Sequence, residues 1–198
     1  PHDVKSLINL IGERQFIDRL NAGFATSEKV SFNALGDNMG AYPINHGNET
    51  NMQAAYLFSY TSEPWHTQKW ARAIQEKYYG MGPRDAYPGD EDQGQMSSWY
   101  ILSSIGLFQM DGGCSKDPVW LLGSPRFDRV EILLDNTYYS GKKLIIKAEN
   151  VSKDNCYIQY VRFNNKRLSN NYIEWSKLKK GGTLHFIMGD RPNPNAFK

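Results

Sequence analysis

The stretch Tyr87-Pro88-Gly89-Asp90-Glu91-Asp92-Gln93-Gly94-Gln95-Met96-Ser97-Ser98-Trp99-Tyr100-Ile101-Leu102-Ser103 decides how the chain is read. Three carboxylates stand together between two glycines, just ahead of a run with helical spacing. Pro88 and Gly89 set a turn, and Gly94 permits a second tight bend. Met96, Trp99, Tyr100 and Ser103 recur at i, i+3, i+4 and i+7, so a helix follows. Asp90, Glu91 and Asp92 are therefore on a loop feeding a helix N-terminus. Acidic residues there cap the helix and suit its dipole. One carboxylate is enough for a cap, whereas three in a row repel one another. The triplet reads both as a solvated cap and as a candidate site.

Outward from that loop, the 198 residues allow one large domain or two small ones, and 40% hydrophobic content suffices for a core. A net charge of +2 gives no electrostatic case for nucleic acid. The 12 Tyr, 9 Phe and 5 Trp suit either sugar-stacking platforms or a large aromatic core. Cys114 and Cys156 make no disulfide framework and leave the redox compartment open. No apolar run approaches the ~20 residues of a membrane span, and no signal peptide is read. The chain opens Pro1-His2-Asp3-Val4, directly in patterned sequence, and is expected to be a piece of something longer.

Helical signals come first. Val4, Leu7, Ile8 and Ile11 predict a short helix, and Glu13 to Asn21 a second, stopped by Gly23. Residues 25 to 50 are polar and irregular, and a loop that long is usually functional or disordered. It ends in Asn45-His46-Gly47-Asn48-Glu49-Thr50. Met52, Ala55, Tyr56 and Tyr60 then form a helical stripe. Ser62-Glu63-Pro64 starts another helix, with Trp70, Ile74 and Tyr78 on one face. Residues 80 to 89 begin the loop that carries the acidic triplet, and the helix after it runs to about Ile105.

The pattern changes near Gly106. Val119–Leu122 is short and apolar. Val130, Ile132 and Leu134 alternate, as do Leu144, Ile146 and Ala148. Tyr157–Phe163 is aromatic and β-branched, with an Asn164-Asn165 turn after it, and Leu184, Phe186 and Met188 alternate. The reading is α+β: helical hairpins over 1–106, then an antiparallel β region over 107–198, ending in a turn-rich tail.

Loops 41–50 and 81–95 each run into a helix. In an array of helical hairpins, loops on one end gather around one pocket, which would bring His46, Asn48 and Glu49 toward Asp90 and Asp92. Inverting glycoside hydrolysis needs two carboxyl groups ~6.5–9.5 Å apart, one an acid and one activating water. Oxygen-rich loops also suit Ca²⁺, although the spacing is not that of an EF-hand. A lone His46 is more often structural than a ligand, and Glu49 reads equally as a first-turn helix residue. His66 and His185 read as structural or exposed. Asn48-Glu49-Thr50 and Asn150-Val151-Ser152 fit the N-glycosylation pattern, which is common by chance.

Pro88-Gly89-Asp90-Glu91-Asp92-Gln93-Gly94-Gln95-Met96-Ser97-Ser98-Trp99-Tyr100 closely resembles a signature of glycoside hydrolase family 92, the calcium-dependent exo-α-mannosidases. His46-Gly47-Asn48-Glu49 resembles the family's substrate loop, and Pro1 to Leu10 the segment after its catalytic-acid strip. Ala55-Tyr56-Leu57-Phe58, Pro64-Trp65 and Thr67-Gln68 resemble the hairpin after the substrate loop. Leu122-Gly123-Ser124-Pro125, and Met188-Gly189 with Pro192-Asn193, resemble its C-terminal sheet region. The motifs stand in the family's order and cover essentially the whole chain.

The resemblance implies the last hairpins of a six-hairpin (α/α) barrel followed by the terminal strands. It implies hydrolysis of terminal α-linked mannose with inversion, with Asp90 and Asp92 in the base role. Ca²⁺ is implied at the floor of the mannose subsite, with Asn48 and Glu49 as its expected ligands and His46, Asn48 and Glu49 beside the sugar. The general acid is expected upstream of Pro1, in the N-terminal part of the same enzyme. The implied partners are that part and α-mannoside glycans, with no nucleic acid and no membrane span; the implied location is extracytoplasmic. Thr50-Asn51-Met52-Gln53 stands where many members read Pro-Ser-His-His. Gly47 stands where α-1,2-selective members carry Glu, so no α-1,2 preference is implied. The alternative is a calcium-binding carbohydrate-binding or structural module without catalysis. A lectin needs no base, which sets Asp90 and Asp92 against it.

Overall fold

The computed structural model describes residues 3–34, 40–86, 88–89 and 91–198. These form two compact units, residues 1–101 and 102–198, one helical and one dominated by strands.

In the first unit, α1 (Val4–Ile11) begins at Asp3, whose carboxylate accepts the Ser6 amide at 3.0 Å. Gly12, at φ +89°, ends α1 and leads into α2 (Glu13–Ser27). Val4 and Ile8 bury against Phe16. The expected stop at Gly23 is not where α2 ends; the helix runs on to Ser27. A Cβ on Gly23 would lie 3.3 Å from the Pro43 side chain and 3.8 Å from that of Ile44. This glycine is a packing seat for the loop that follows, which offsets its helix penalty of about 1 kcal/mol. A 3₁₀ turn, Glu28–Val30, continues the path. Phe32 then adopts φ +59°, rare for a bulky residue, with its ring fully buried. Phe24, Phe32, Phe58 and Trp70 form the centre, Phe24 stacking on Trp70 at 5.3 Å. In this unit the aromatics serve first as core.

The stripe from Met52 to Tyr60 divides into α3 (Glu49–Met52) and a 3₁₀ segment, Ala54–Tyr60. The Trp99 indole donates to the Met52 carbonyl at 2.8 Å, and the Tyr56 amide bonds to Gln53 O instead. The acceptor that a continuing α-helix would give Tyr56 is thus also engaged by Trp99. Helix α4 (Trp65–Lys77) places Trp70 and Ile74 on its buried face, and its C-cap Tyr78 is buried too, as the spacing predicts. Helix α5 spans Gln95–Ser104.

The second unit holds two sheets. Strands β1 (Leu107–Phe108), β2 (Val119–Leu122) and β7 (Tyr172–Glu174) form a small antiparallel one. Strands β3 (Arg129–Leu133), β4 (Lys143–Glu149), β5 (Tyr157–Phe163), β6 (Lys166–Arg167) and β8 (Gly182–Gly189) form the larger, in the order β3-β4-β8-β5-β6. Leu144, Ile146, Ala148, Leu184, Phe186 and Met188 face the core at period two. The larger sheet is mixed, and this corrects the antiparallel expectation: β8 pairs in parallel with β4. The chain between them contains β5 to β7 and the short α6 (Trp175–Leu178), long enough for the crossover that parallel pairing requires. Asn164 and Asn165 join β5 to β6 at φ +47° and +67°, the conformation that favours Asn in two-residue hairpins.

Candidate active site

The two loops named from sequence meet in the first unit. A Cβ on Gly89 would lie 2.5 Å from Gly47 Cα and 2.6 Å from the Tyr78 hydroxyl; one on Gly47 would lie 2.8 Å from Gly89 Cα. Backbone touches backbone here, and only glycine fits on either side. Loop 41–50 is tied down from behind. The Phe32 carbonyl accepts the His46 amide at 2.9 Å, and the Ile44 amide donates to buried Ser27 Oγ at 2.9 Å. The strained turn at Phe32 therefore aims a carbonyl that fixes the site loop.

His46 is fully buried. Its ring meets Trp99 at 4.3 Å, Tyr78 at 5.0 Å and Tyr79 at 5.5 Å, edge-on in each case. Burial pushes its pKa down to about 3, so the imidazole is neutral. The Tyr79 hydroxyl donates to Met96 O at 3.2 Å and lies 2.8 Å from His46 Nε2. With its proton used on Met96, Tyr79 accepts from Nε2–H, which assigns that tautomer. Nδ1 is then a bare acceptor, buried and without a hydrogen-bond partner among the described residues.

Asn48 is the N-cap of α3; its side-chain oxygen accepts from the Thr50 amide at 3.3 Å and the Thr50 hydroxyl at 2.9 Å. Glu49 opens the helix. Its Oε1 is buried and unpartnered among the described residues. An orphaned carboxylate oxygen is costly unless something occupies it.

Glu91 and Asp92 of the acidic triplet differ in their surroundings. Glu91 Oε1 accepts from the Ser97 amide at 3.2 Å and from the Ser97 hydroxyl, which caps α5. Glu91 thus meets the bland reading of the triplet, though its Oε2 stays buried and without a partner among the described residues. Asp92 is exposed, at φ +30°, followed by Gln93 at +61° and Gly94 at +82°. Three successive left-handed residues, two of them not glycine, store strain of the kind that collects at functional sites. Asp90 lies outside the described residues.

Sequence reasoning missed the aromatic wall of Tyr78, Tyr79 and Trp99. Its signal was the Tyr78-Tyr79 pair directly before Gly80, at the C-terminal end of a periodic helix.

The donor set fits Ca²⁺ only in part. The bare Glu49 oxygen is a hard ligand of the right kind. The Asn48 oxygen already accepts two bonds and would have to release one. Among the described residues no group of three His, Cys, Asp or Glu could hold a metal ion.

Residues 1–190 match the glycosyl hydrolase family 92 catalytic domain, and the chain belongs to that family. An uncharacterized secreted glycosidase of Arthroderma benhamiae is 29% identical over 192 residues, which are 96% of this chain and 22% of that one. A family GH92 α-mannosidase structure from Bacteroides thetaiotaomicron matches with TM-score 0.81 and 30% identity, over 98% of this chain and 24% of the other. A family GH92 inverting mannosidase structure from Bacteroides thetaiotaomicron VPI-5482 matches with TM-score 0.78 and 30% identity, over 99% and 27%. The chain thus spans about a quarter of the length of each. No helix among the described residues is long and apolar enough to cross a membrane.

Proposed function

We propose that this chain is the C-terminal part of an extracytoplasmic, calcium-dependent α-mannosidase that releases terminal mannose with inversion. In this reading residues 1–106 are the last hairpins of a six-hairpin barrel, and 107–198 its terminal β region. The observation that carries the proposal is the meeting of Gly47 with Gly89. It sets the His46–Glu49 loop against the loop of Asp90 and Asp92, inside a family whose solved members include mannosidases.

Asp90 and Asp92 act as the base, taking the proton of the water that attacks the anomeric carbon. A carboxylic acid from the N-terminal part of the enzyme protonates the departing oxygen, so that neither charge builds up alone. The resemblance sets His46 beside the sugar, but it is fully buried behind the loop; neutral and held by Tyr79, it positions the loop and does not touch the substrate. Glu49, with Asn48 once it lets go of Thr50, would hold the metal. Ca²⁺ held there would supply a positive centre that polarises sugar hydroxyls and favours ring distortion. Glu91 belongs to the scaffold.

The test is mannose release from an α-linked disaccharide by the complete enzyme, with the first-formed anomer followed by NMR. β-Mannose appearing first supports the reading. α-Mannose appearing first, or no hydrolysis, contradicts it.

A further inference from the structure

The outer face of the five-stranded sheet carries a row of basic side chains that the proposed chemistry does not use. Register places Arg129 opposite Lys147, Lys147 opposite His185, His185 opposite Arg162, and Arg162 opposite Arg167. Directly paired residues share a face, so one lateral line crosses all five strands. Side-chain geometry agrees. The Arg162 and Arg167 guanidinium groups lie 5.0 and 5.4 Å from the ring of Tyr160. Both are exposed, as are Arg129 and Lys147. At the spacing of neighbouring strands, the row is roughly 20 Å long.

Like charges set opposite one another across a sheet destabilise it. Arg129 is paired with Glu131, His185 with Glu149, and Arg167 donates to the Asn195 and Ala196 carbonyls, which leaves Lys147 and Arg162 in the row as the cations open to recognition. The flanks narrow the choice of partner. On one side Glu131 accepts from Arg129 and from Lys143, the latter at 2.6 Å; on the other Glu149 Oε1 lies 2.9 Å from His185 Nε2. A broad anionic surface such as a bilayer would meet both carboxylates. A protein partner would bury charge at its interface centre, where charge is normally depleted. A single linear chain with repeated negative groups fits along the row between the two glutamates. The Arg162 guanidinium fork suits a carboxylate.

We infer that the Arg129–Lys147–His185–Arg162–Arg167 row binds a linear carboxylated polysaccharide and holds the enzyme on acidic glycan material. The choice of a polysaccharide rests on the glycosidase reading above; the row itself does not.

The experiment measures retardation of the complete enzyme in gels containing polygalacturonate, neutral dextran or anionic phospholipid vesicles, with mannose release assayed in parallel. A Lys147→Glu/Arg162→Glu variant is compared with an equal charge change at exposed Lys116 and Lys153, also to Glu. The expected result is retardation by polygalacturonate alone, weakening with salt and lost by about tenfold or more only in the row variant. Mannose release and melting temperature stay unchanged. Equal loss in both variants, binding to dextran, or binding to vesicles instead overturns the inference. Row-dependent retardation in an enzyme that releases no mannose would sustain the row and sink the glycosidase reading.

Discussion

Gly47 and Gly89 approach so closely that neither tolerates a Cβ; one added to Gly89 would lie 2.5 Å from Gly47 Cα. Two loops separated by a whole helix in sequence are thereby held in van der Waals contact over the Tyr78 hydroxyl. A Gly89→Ala variant must push the loops apart, because the obstructing atoms are backbone. Overpacking of this sort costs typically 1–3 kcal/mol. The complete enzyme is expected to lose at least about tenfold in turnover, with a modest fall in melting temperature. Turnover equal to wild type would show that the contact does not shape the site.

Glu91 and Asp92 are neighbours with opposite expected phenotypes. Glu91→Ala removes the cap on α5 and should lower stability by about 1 kcal/mol, read as a fall in the unfolding midpoint. Asp92→Asn should leave stability unchanged, because Asp92 is exposed and asparagine tolerates its positive φ. A stable Glu91→Ala protein would remove the scaffold role.

Glu49→Gln should raise the Ca²⁺ concentration needed for activity, since it weakens the one buried bare carboxylate in the substrate loop. Chelation should abolish mannose release by the wild-type enzyme, and Ca²⁺ should restore it better than Mg²⁺, which demands tighter octahedral geometry. Full activity after verified metal removal would contradict the Ca²⁺ assignment.

His66 supplies a pH signature. Burial pushes its pKa below the ordinary 6.5, against the pull of Glu63 at 2.9 Å. The unfolded chain takes up the proton near pH 6.5, and the folded chain only at lower pH. Between those values the unfolded state binds more protons, so stability falls as pH is lowered through that window, by at most about 1.4 kcal/mol per unit. A His66→Gln variant should show a shallower decline in melting temperature between pH 6.5 and 5. An unchanged slope would exclude this histidine as a source.

Much of this was legible in the sequence because it rests on period and turn chemistry. Trp70, Ile74 and Tyr78 are buried where helical spacing puts them, and Asn164-Asn165 turns where it should. The end of α2 was not legible: Gly23 is a stop signal locally, and only the packing of Pro43 and Ile44 on it lets the helix continue. The parallel pairing of β4 with β8 is a topological fact that no local pattern encodes. In the site, the meeting of Gly47 with Gly89 is the part that the reading of the two loops anticipated. That Glu91 takes the capping bonds of α5 was not legible, because neighbouring carboxylates are alike until hydrogen bonds separate them. The aromatic box around His46 joins Tyr78 and Tyr79, just past the end of α4, to Trp99 of α5, and spacing along the chain does not reveal that.

The most direct test of the account is the turnover of Asp92→Asn in the complete enzyme on an α-mannoside, with its melting temperature measured alongside. Loss of a general base typically costs ~10²–10⁴-fold. The account predicts a fall of that order at unchanged melting temperature. Wild-type turnover in a folded Asp92→Asn enzyme would contradict it.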